Sequence, residues 1–473
     1  MNFTDILSIF FIFGKLFSFI IVLIIIRNSK SLNKDIPWIV FILLFPFIGS
    51  LMYLFFRSDI LNSNLLKDIS KSIQESKKYF VQNEEVREEV LNDNNAPMVY
   101  LLNHCNFPIT KNNRCVYYPS GEIFFDNVKA ELRNAKHFIF IEFFSIEIGT
   151  LWKEILEILK EKVQEGIEVR IIYDNTACNK KIPYKYYKKL EYSGIKCEPY
   201  YKNYPLIGAI RDHREHRKCV IVDGKIAFTG GMNIEDRYVN LEQPYGYWKD
   251  VGISVQGEGV WNFTVMFLSM WNALREEEED YTKYKDNSLT RFKNLGYVVS
   301  FGDNPLDQEN VVKNVYISMI HQAKKYLYIF TPYLVLDMDI YNALSLAGKR
   351  GVDVKIVIPG IPDKRIVYQV SLLNARKLIE DKVKVYTYTP GFMHGKVFLA
   401  DDKMAMVGTT NTDYRSLYLD FEYSVLMKDV AIIKDIKKDV EETFQQSVEV
   451  KPLKTNVFQF LWEAILQLFA PFM

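Results

Sequence analysis

Two apolar runs open the chain, and a third closes it. Ile6 to Ile26 and Ile36 to Phe56 each have about the length a helix needs to cross a bilayer core of ~30 Å. Arg27, Lys30, Lys34 and Asp35 lie between them, and Arg57 follows the second. The opening MNFTD has no basic stretch, and no small-residue cleavage site follows the first run, so a removed leader is not expected. The pattern predicts a retained two-span helical hairpin over residues 1–58 and a multi-pass place in the cell membrane. Lys15 falls inside the first run, where a central charge costs roughly 2.5–3.5 kcal/mol. The basic loop favours an inside turn, whereas Arg57, Lys67 and Lys71 pull the remainder inside, so orientation stays open. Near the end, Phe458, Leu461, Trp462, Ile465, Leu468 and Phe469 recur at helical spacing. That segment, residues 451–473, fits either a helix at the membrane interface or one packed on the core.

Between these ends the pattern repeats itself. AKHFIFIEFFS from Ala135 and AKKYLYIFTPY from Ala323 are aromatic, strand-like runs. A helical pattern follows each, LWKEILEILKEKVQEG in one copy and IYNALSLAGKRG in the other. GIEVRIIYD from Gly166 and GVDVKIVIPG from Gly351 then read as buried strands entered from a helix-ending glycine. The alternation implies an α/β fold of two related domains, each a mixed sheet flanked by helices. The expected boundaries are a helical or irregular linker over 59–125, a first domain over 126–274, a connector over 275–298 and a second domain over 299–450. The run REEEED from Arg275 reads as solvated surface.

Composition narrows the class. The chain has 473 residues, 59 Lys+Arg against 58 Asp+Glu, and a net charge of +1, so nucleic acid is not an expected partner. Its five cysteines (Cys105, Cys115, Cys178, Cys197 and Cys219) show no C-x-x-C spacing, which argues against a zinc site or a disulfide framework.

The candidate chemistry lies in a frame that occurs twice. His216-Arg217-Lys218 leads to Asp223 and then, after six residues, to Gly230-Gly231-Met232-Asn233. His394-Gly395-Lys396 leads to Asp401 and, after six residues, to Gly408-Thr409-Thr410-Asn411. These motifs fall in residues 211–238 and 389–416. On a strand, His and Lys two apart share one face. Asp223 and Asp401 belong to the catalytic motif, yet their place before Gly224 and Asp402 equally suits turn formers. A returning strand would carry Asn233 and Asn411 back beside the histidines. Two imidazoles on opposite sides of one anion suit a phosphodiester: one attacks phosphorus, and the other handles the alcohol's proton. Lysine and asparagine would stabilise the nonbridging oxygens, so neither metal nor cofactor is expected. His104, His137, His213 and His321 lie outside the frame and are read as structural or surface residues. Gly391-x3-Gly395-Lys396 is one residue short for a phosphate loop and lacks the following Ser/Thr.

The doubled HxKxxxxD resembles that of the phospholipase D superfamily, and the chain is similar to its bacterial cardiolipin synthases. The similarity extends to IPWIVFILLFPFIGSLMYLFF in the hairpin, NIEDRY from Asn233, YWKD with Trp248 and Asp250, GTTNTDYRSLYLDFE from Gly408, and the tail LFAPFM. It implies two phospholipase D-like domains related by a pseudo-twofold axis. It also implies membrane lipid as partner, with two phosphatidylglycerol molecules giving cardiolipin and glycerol. His216 would be the nucleophile and His394 the general acid/base, though the reverse stays open. Glu422 and Asp250 would be orienting carboxylates, Asp250 within the first copy. Gly231 and Thr409 stand where many relatives have serine, which leaves the first copy without a hydroxyl donor there. A hydrolytic phospholipase D, a synthase with another donor and a non-catalytic lipid-binding scaffold remain as alternatives.

Overall fold

The computed structural model describes residues 3–29, 32–57, 63–202, 213–288, 292, 296–307, 309–451 and 456–473. Lys30 of the first loop, residues 211–212 of the first motif stretch and part of the connector lie outside the described residues.

The first half contributes strands β1 (Asn113–Tyr118), β2 (Phe138–Phe143), β3 (Glu168–Asp174), β4 (Lys196–Tyr200), β5 (Arg214–Glu215), β6 (Lys218–Val222), β7 (Ile226–Gly230), β8 (Tyr247–Lys249) and β9 (Gly252–Gly257). The second contributes β10 (Tyr297–Asp303), β11 (Tyr326–Phe330), β12 (Asp353–Pro359), β13 (Lys384–Tyr388), β14 (Gly391–Met393), β15 (Val397–Ala400), β16 (Met404–Gly408), β17 (Asp420–Lys428) and β18 (Ser447–Glu449). One sheet runs β1-β9-β7-β6-β2-β3-β4 and the other β10-β17-β16-β15-β11-β12-β13-β18. In each, three neighbouring strands are parallel and the first strand of the hairpin that follows the motif histidine pairs antiparallel with them. β9-β7-β6-β2-β3-β4 therefore matches β17-β16-β15-β11-β12-β13, and the repeat read from sequence is a repeat of topology.

The apolar runs sit at the sheet centres because helices cover both faces there. Every residue of β2 is buried, Glu142 included. Gly166 and Gly351 end the helices before β3 and β12 with φ of +83° and +90°, values a side chain resists. The helix Val260–Arg275 is apolar on nearly all sides, and Phe263, Phe267 and Trp271 are buried in a cluster that joins residues of both sheets. The stretch expected as linker contributes β1 to the edge of the first sheet, paired with β9, and the helix Gly121–Asn134.

The N-terminus departs from expectation. Phe3–Asn28 is one helix, and its Phe11–Asn28 window, with a mean hydropathy of 2.0, is long and apolar enough to cross a membrane. The second span expected over Ile36–Phe56 is instead two short helices, Leu32–Leu44 and Pro46–Arg57. Pro46 lacks an amide hydrogen and disfavours helix in the residue before it, which breaks the run at Phe45. The two pieces fold closely: a Cβ at Gly49 would stand 2.9 Å from Ile42 Cα. Ser50 Oγ donates to Ser18 Oγ at 2.9 Å, a polar link between apolar helices. Among the described residues, one helix meets the length and hydropathy of a span. Lys15 is exposed on it.

Candidate active site

Each motif histidine is placed by a strand pairing that crosses between the halves. β5 pairs in parallel with the start of β17, and the His216 amide donates to Phe421 O at 3.1 Å. β14 pairs in parallel with β8, and the His394 amide donates to Lys249 O at 2.7 Å. Each chain then turns into its own sheet as β6 or β15. The histidines are thereby held at the seam, each beside a carboxylate one residue past the paired stretch, Glu422 within β17 and Asp250 just after β8.

Those carboxylates are crossed. Glu422 Oε1 of the second half lies 2.9 Å from His216 Nδ1, and Asp250 Oδ2 of the first lies 2.6 Å from His394 Nδ1. The expectation that Asp250 serves its own copy is corrected: β8 and the segment after it belong to the other half's histidine. With Nδ1–H donating to a carboxylate, each ring turns its Nε2 lone pair away from it. Both histidines are nearly buried, with 11% and 9% of the side chain open, enough for a ring edge to meet a ligand. Phe144 packs on His216, while Tyr238, Trp248 and Phe392 surround His394.

Lys218 and Lys396 are buried in matching poses, each Nζ donating to the carbonyl of its own histidine at 2.6 Å. Lys396 Nζ also lies 2.9 Å from His394 Nδ1 and 3.1 Å from its Nε2. Burial, and then these lysines, hold both imidazoles well below the usual histidine pKa. Each histidine feels the lysine of both halves, and His394 also feels His216, which puts the four groups in one electrostatic neighbourhood. Burial pushes Lys218 down to about 7 and Lys396 to about 8. It pushes Asp250 up to about 7 and Glu422 up to about 8. An entering phosphodiester anion would restore the lysines' charge, so the site is electrostatically set for an anion.

Asp223 and Asp401, expected among the catalytic groups, sit at the far ends of β6 and β15 from the histidines. Their φ values are +53° and +54°. The Asp223 carboxylate accepts the amides of Lys136, His137 and Phe138 at 2.8, 2.7 and 2.9 Å. Asp401 does the same for Lys324, Lys325 and Tyr326 at 2.7, 2.8 and 2.9 Å. These residues fasten the starts of β2 and β11; the whole of β6, five residues long, separates Asp223 from the His216-Arg217 pair.

The asparagines are not equivalent. Asn233 Oδ1 accepts the Ser145 amide at 3.2 Å and its Nδ2 donates to Tyr238 OH at 2.8 Å, whereas Asn411 Oδ1 is buried without a partner among the described residues. The first copy also lacks a hydroxyl for a spatial reason: a Cβ at Gly231 would come within 2.2 Å of Asp250 Oδ1. In the second copy the Thr409 hydroxyl donates to Glu422.

Sequence reasoning passed over Arg217. Its Nε and Nη2 each donate to Glu215 at 2.6 Å, Nη2 lies 3.0 Å from Glu142, and Tyr423 OH donates to Glu142 at 2.7 Å. This buried network joins β2, β5 and β17 beneath His216. The charge inside the apolar run FIFIEF was the available signal. His216, Asp420 and Glu422 also bring polar atoms within 4.8 Å of one another, a spacing that could hold a metal ion. Both Glu422 oxygens are already engaged, by His216 and Thr409, and two lysine charges oppose a cation there.

Paired sheets with a doubled His-x-Lys site define a phosphodiester-directed enzyme of the phospholipase D class. The family described as "Cardiolipin synthase, PLD-like domain" matches residues 128–248 and 316–446, and "Phospholipase_D-nuclease N-terminal" matches 16–57. The chain is 40% identical to an uncharacterized protein of Streptococcus mutans over 91% of its own length and 94% of that protein. It is 32% identical to the cardiolipin synthase of Halalkalibacterium halodurans, covering 89% and 86% of the two chains. It is also 32% identical to cardiolipin synthase 1 of Staphylococcus aureus, covering 95% and 92%. Among solved structures, a phosphatidylserine synthase of Haemophilus influenzae shares the fold, with a TM-score of 0.59 at 16% identity over 80% of this chain and 97% of that one. The chain belongs to the cardiolipin synthase family of the phospholipase D superfamily. The family and the N-terminal apolar helix make it membrane-associated.

Proposed function

We propose that this chain is a cardiolipin synthase that transfers a phosphatidyl group from one phosphatidylglycerol to another, releasing glycerol. The observation that carries the reading is the pair of histidines at one seam, each held by the other half's carboxylate and flanked by a buried lysine.

His216 Nε2 attacks phosphorus while the bond from phosphorus to the head-group glycerol oxygen breaks. His394 protonates that oxygen. Asp250 and His394 share one proton in the resting site, and the bound anion draws it onto the imidazole. Glu422 accepts the Nδ1–H of His216 and offsets the charge of the phosphohistidine. Lys218 and Lys396 face the nonbridging oxygens as charge grows. His394 then takes the proton from a hydroxyl of the second phosphatidylglycerol, whose oxygen attacks phosphorus as the N–P bond breaks. Asp223 and Asp401 act through strand geometry.

The test is to supply phosphatidylglycerol labelled in its head group to membranes bearing the full chain. Cardiolipin with equimolar free glycerol supports the reading. Phosphatidic acid without cardiolipin overturns it in favour of hydrolysis.

A further inference from the structure

The C-terminal helix, Val457–Phe469, is turned inside out relative to a helix of a water-soluble protein. Such a helix buries its apolar stripe and exposes its polar one. Here the docked side carries Glu463, which pairs with Arg376, and Gln459, whose Nε2 donates to Glu463 at 3.0 Å. Trp462 Nε1 donates to Gln369 at 2.9 Å, so that contact with the second half is also polar. Leu466 is the one buried residue of this helix, and Ala470 follows it inward. Meanwhile Phe458 is 85% exposed, Phe460 63% and Leu461 54%, with Ile465 and Phe469 about half exposed. A contiguous row of large apolar side chains of this kind marks an interaction surface.

The surface continues into the anchor. The ring of Phe472 meets Trp38 edge-on at 5.8 Å, and Trp38 belongs to the short apolar helix packed against the spanning one. It also leads towards the catalytic seam. Leu466 and Ala470 share a cluster with Val335, Val370 and Tyr414, against which Tyr333 packs. The Tyr333 ring stands 6.3 Å from Phe392, and Phe392 stands 5.8 Å from His394. Lys364 lies 4.5 Å over Tyr333, and Ile361 and Ile366 beside it are exposed.

We propose that the Val457–Phe469 helix lies in the lipid surface and presses the mouth of the active site onto the bilayer. The occupant of the exposed face is lipid, because the face is apolar, continuous with the membrane anchor, and edged by the cation Lys364, which suits anionic head groups. The helix docks through polar contacts and the small cluster around Leu466 and Ala470, which leaves its larger apolar side chains outward. A membrane lipid then reaches the seam past Tyr333 without crossing water.

The test uses the full chain in vesicles of phosphatidylglycerol and phosphatidylethanolamine. Phe458→Cys is labelled with a polarity-sensitive fluorophore, Tyr192→Cys on the far, exposed surface of the first half is labelled in parallel, and the unsubstituted chain gives the labelling background. A doxyl-labelled lipid should quench the probe at 458 at least fivefold more than the probe at 192, with aqueous iodide showing the reverse order. Equal iodide quenching at both positions overturns the proposal. A second variant, Phe458→Glu with Phe460→Glu, should lower turnover of vesicle lipid at least fivefold relative to the same lipid in detergent micelles. Equal losses in both also overturn it. The quenching needs no turnover, so a chain that makes no cardiolipin yet quenches as expected refutes the functional reading alone.

Discussion

Glu422 of the second half grips His216 of the first, with Oε1 2.9 Å from Nδ1, and Asp250 returns the grip on His394 from the opposite side. Neither half therefore contains a finished acid–base pair. The crossing follows from backbone: β17 receives β5, and β8 receives β14. Glu422→Gln should leave the fold intact and lower kcat by about 100-fold or more, by loss of the tautomer and of imidazolium stabilisation. A double-mutant cycle in turnover should find Glu422 coupled to His216 more strongly than to His394, and Asp250 the reverse. Coupling within each half instead would contradict the crossing.

The buried lysines give the pH profile a direction. Lys218, pushed down to about 7, and Lys396, pushed down to about 8, lose positive charge as pH rises through that window. An anionic substrate prefers the charged form, so kcat/KM, which reports the free enzyme, should fall on the alkaline side from near neutrality. Lys218→Arg should move that limb to higher pH, because a guanidinium does not titrate there. An unmoved limb would assign it to another group.

Asp223→Ala leaves three backbone amides at the start of β2 without their acceptor. It should cost about 1–3 kcal/mol of stability, read by denaturant titration, with turnover per folded molecule much less affected. A loss of turnover comparable to that of His216→Ala, in a chain that stays folded, would return Asp223 to the chemistry.

Arg217→Met strands Glu215 and Glu142 in the buried seam. Breaking one partner of such a network should destabilise the chain by about 3–5 kcal/mol, visible as a lowered Tm. Replacing Arg217, Glu215 and Glu142 together by apolar residues should recover much of that loss, and failure to recover it would point to a role beyond charge pairing.

The sequence carried much of this in its doubled frame. His216 and His394 were legible because an identical spacing at matching points of a repeat is improbable by chance, and the repeat itself was visible in FIFIEF and YLYIF. What escaped were relationships set by tertiary pairing. That Asp250 serves His394 depends on β8 joining β14, a contact across the two halves. Asp223 belongs to the motif yet equally suited a turn former, and which of the two it serves depends on a strand of five residues that carries it away from the histidine. The second apolar run had the length of a span, and Pro46 alone divided it. Arg217 drew no role from the sequence because a buried partner such as Glu142 is distant along the chain.

Trapping the intermediate shows whether both histidines act on one phosphorus. The full chain and its His216→Ala and His394→Ala variants would be incubated with radiolabelled phosphatidylglycerol, quenched in alkali and mapped by peptide. Both variants should lose turnover almost completely, and label carried on the phosphate should sit on His216, never on His394, in the unsubstituted chain quenched during turnover. About half the activity surviving in each variant, or label on either histidine independently of the other, would mean two separate sites and would contradict the account.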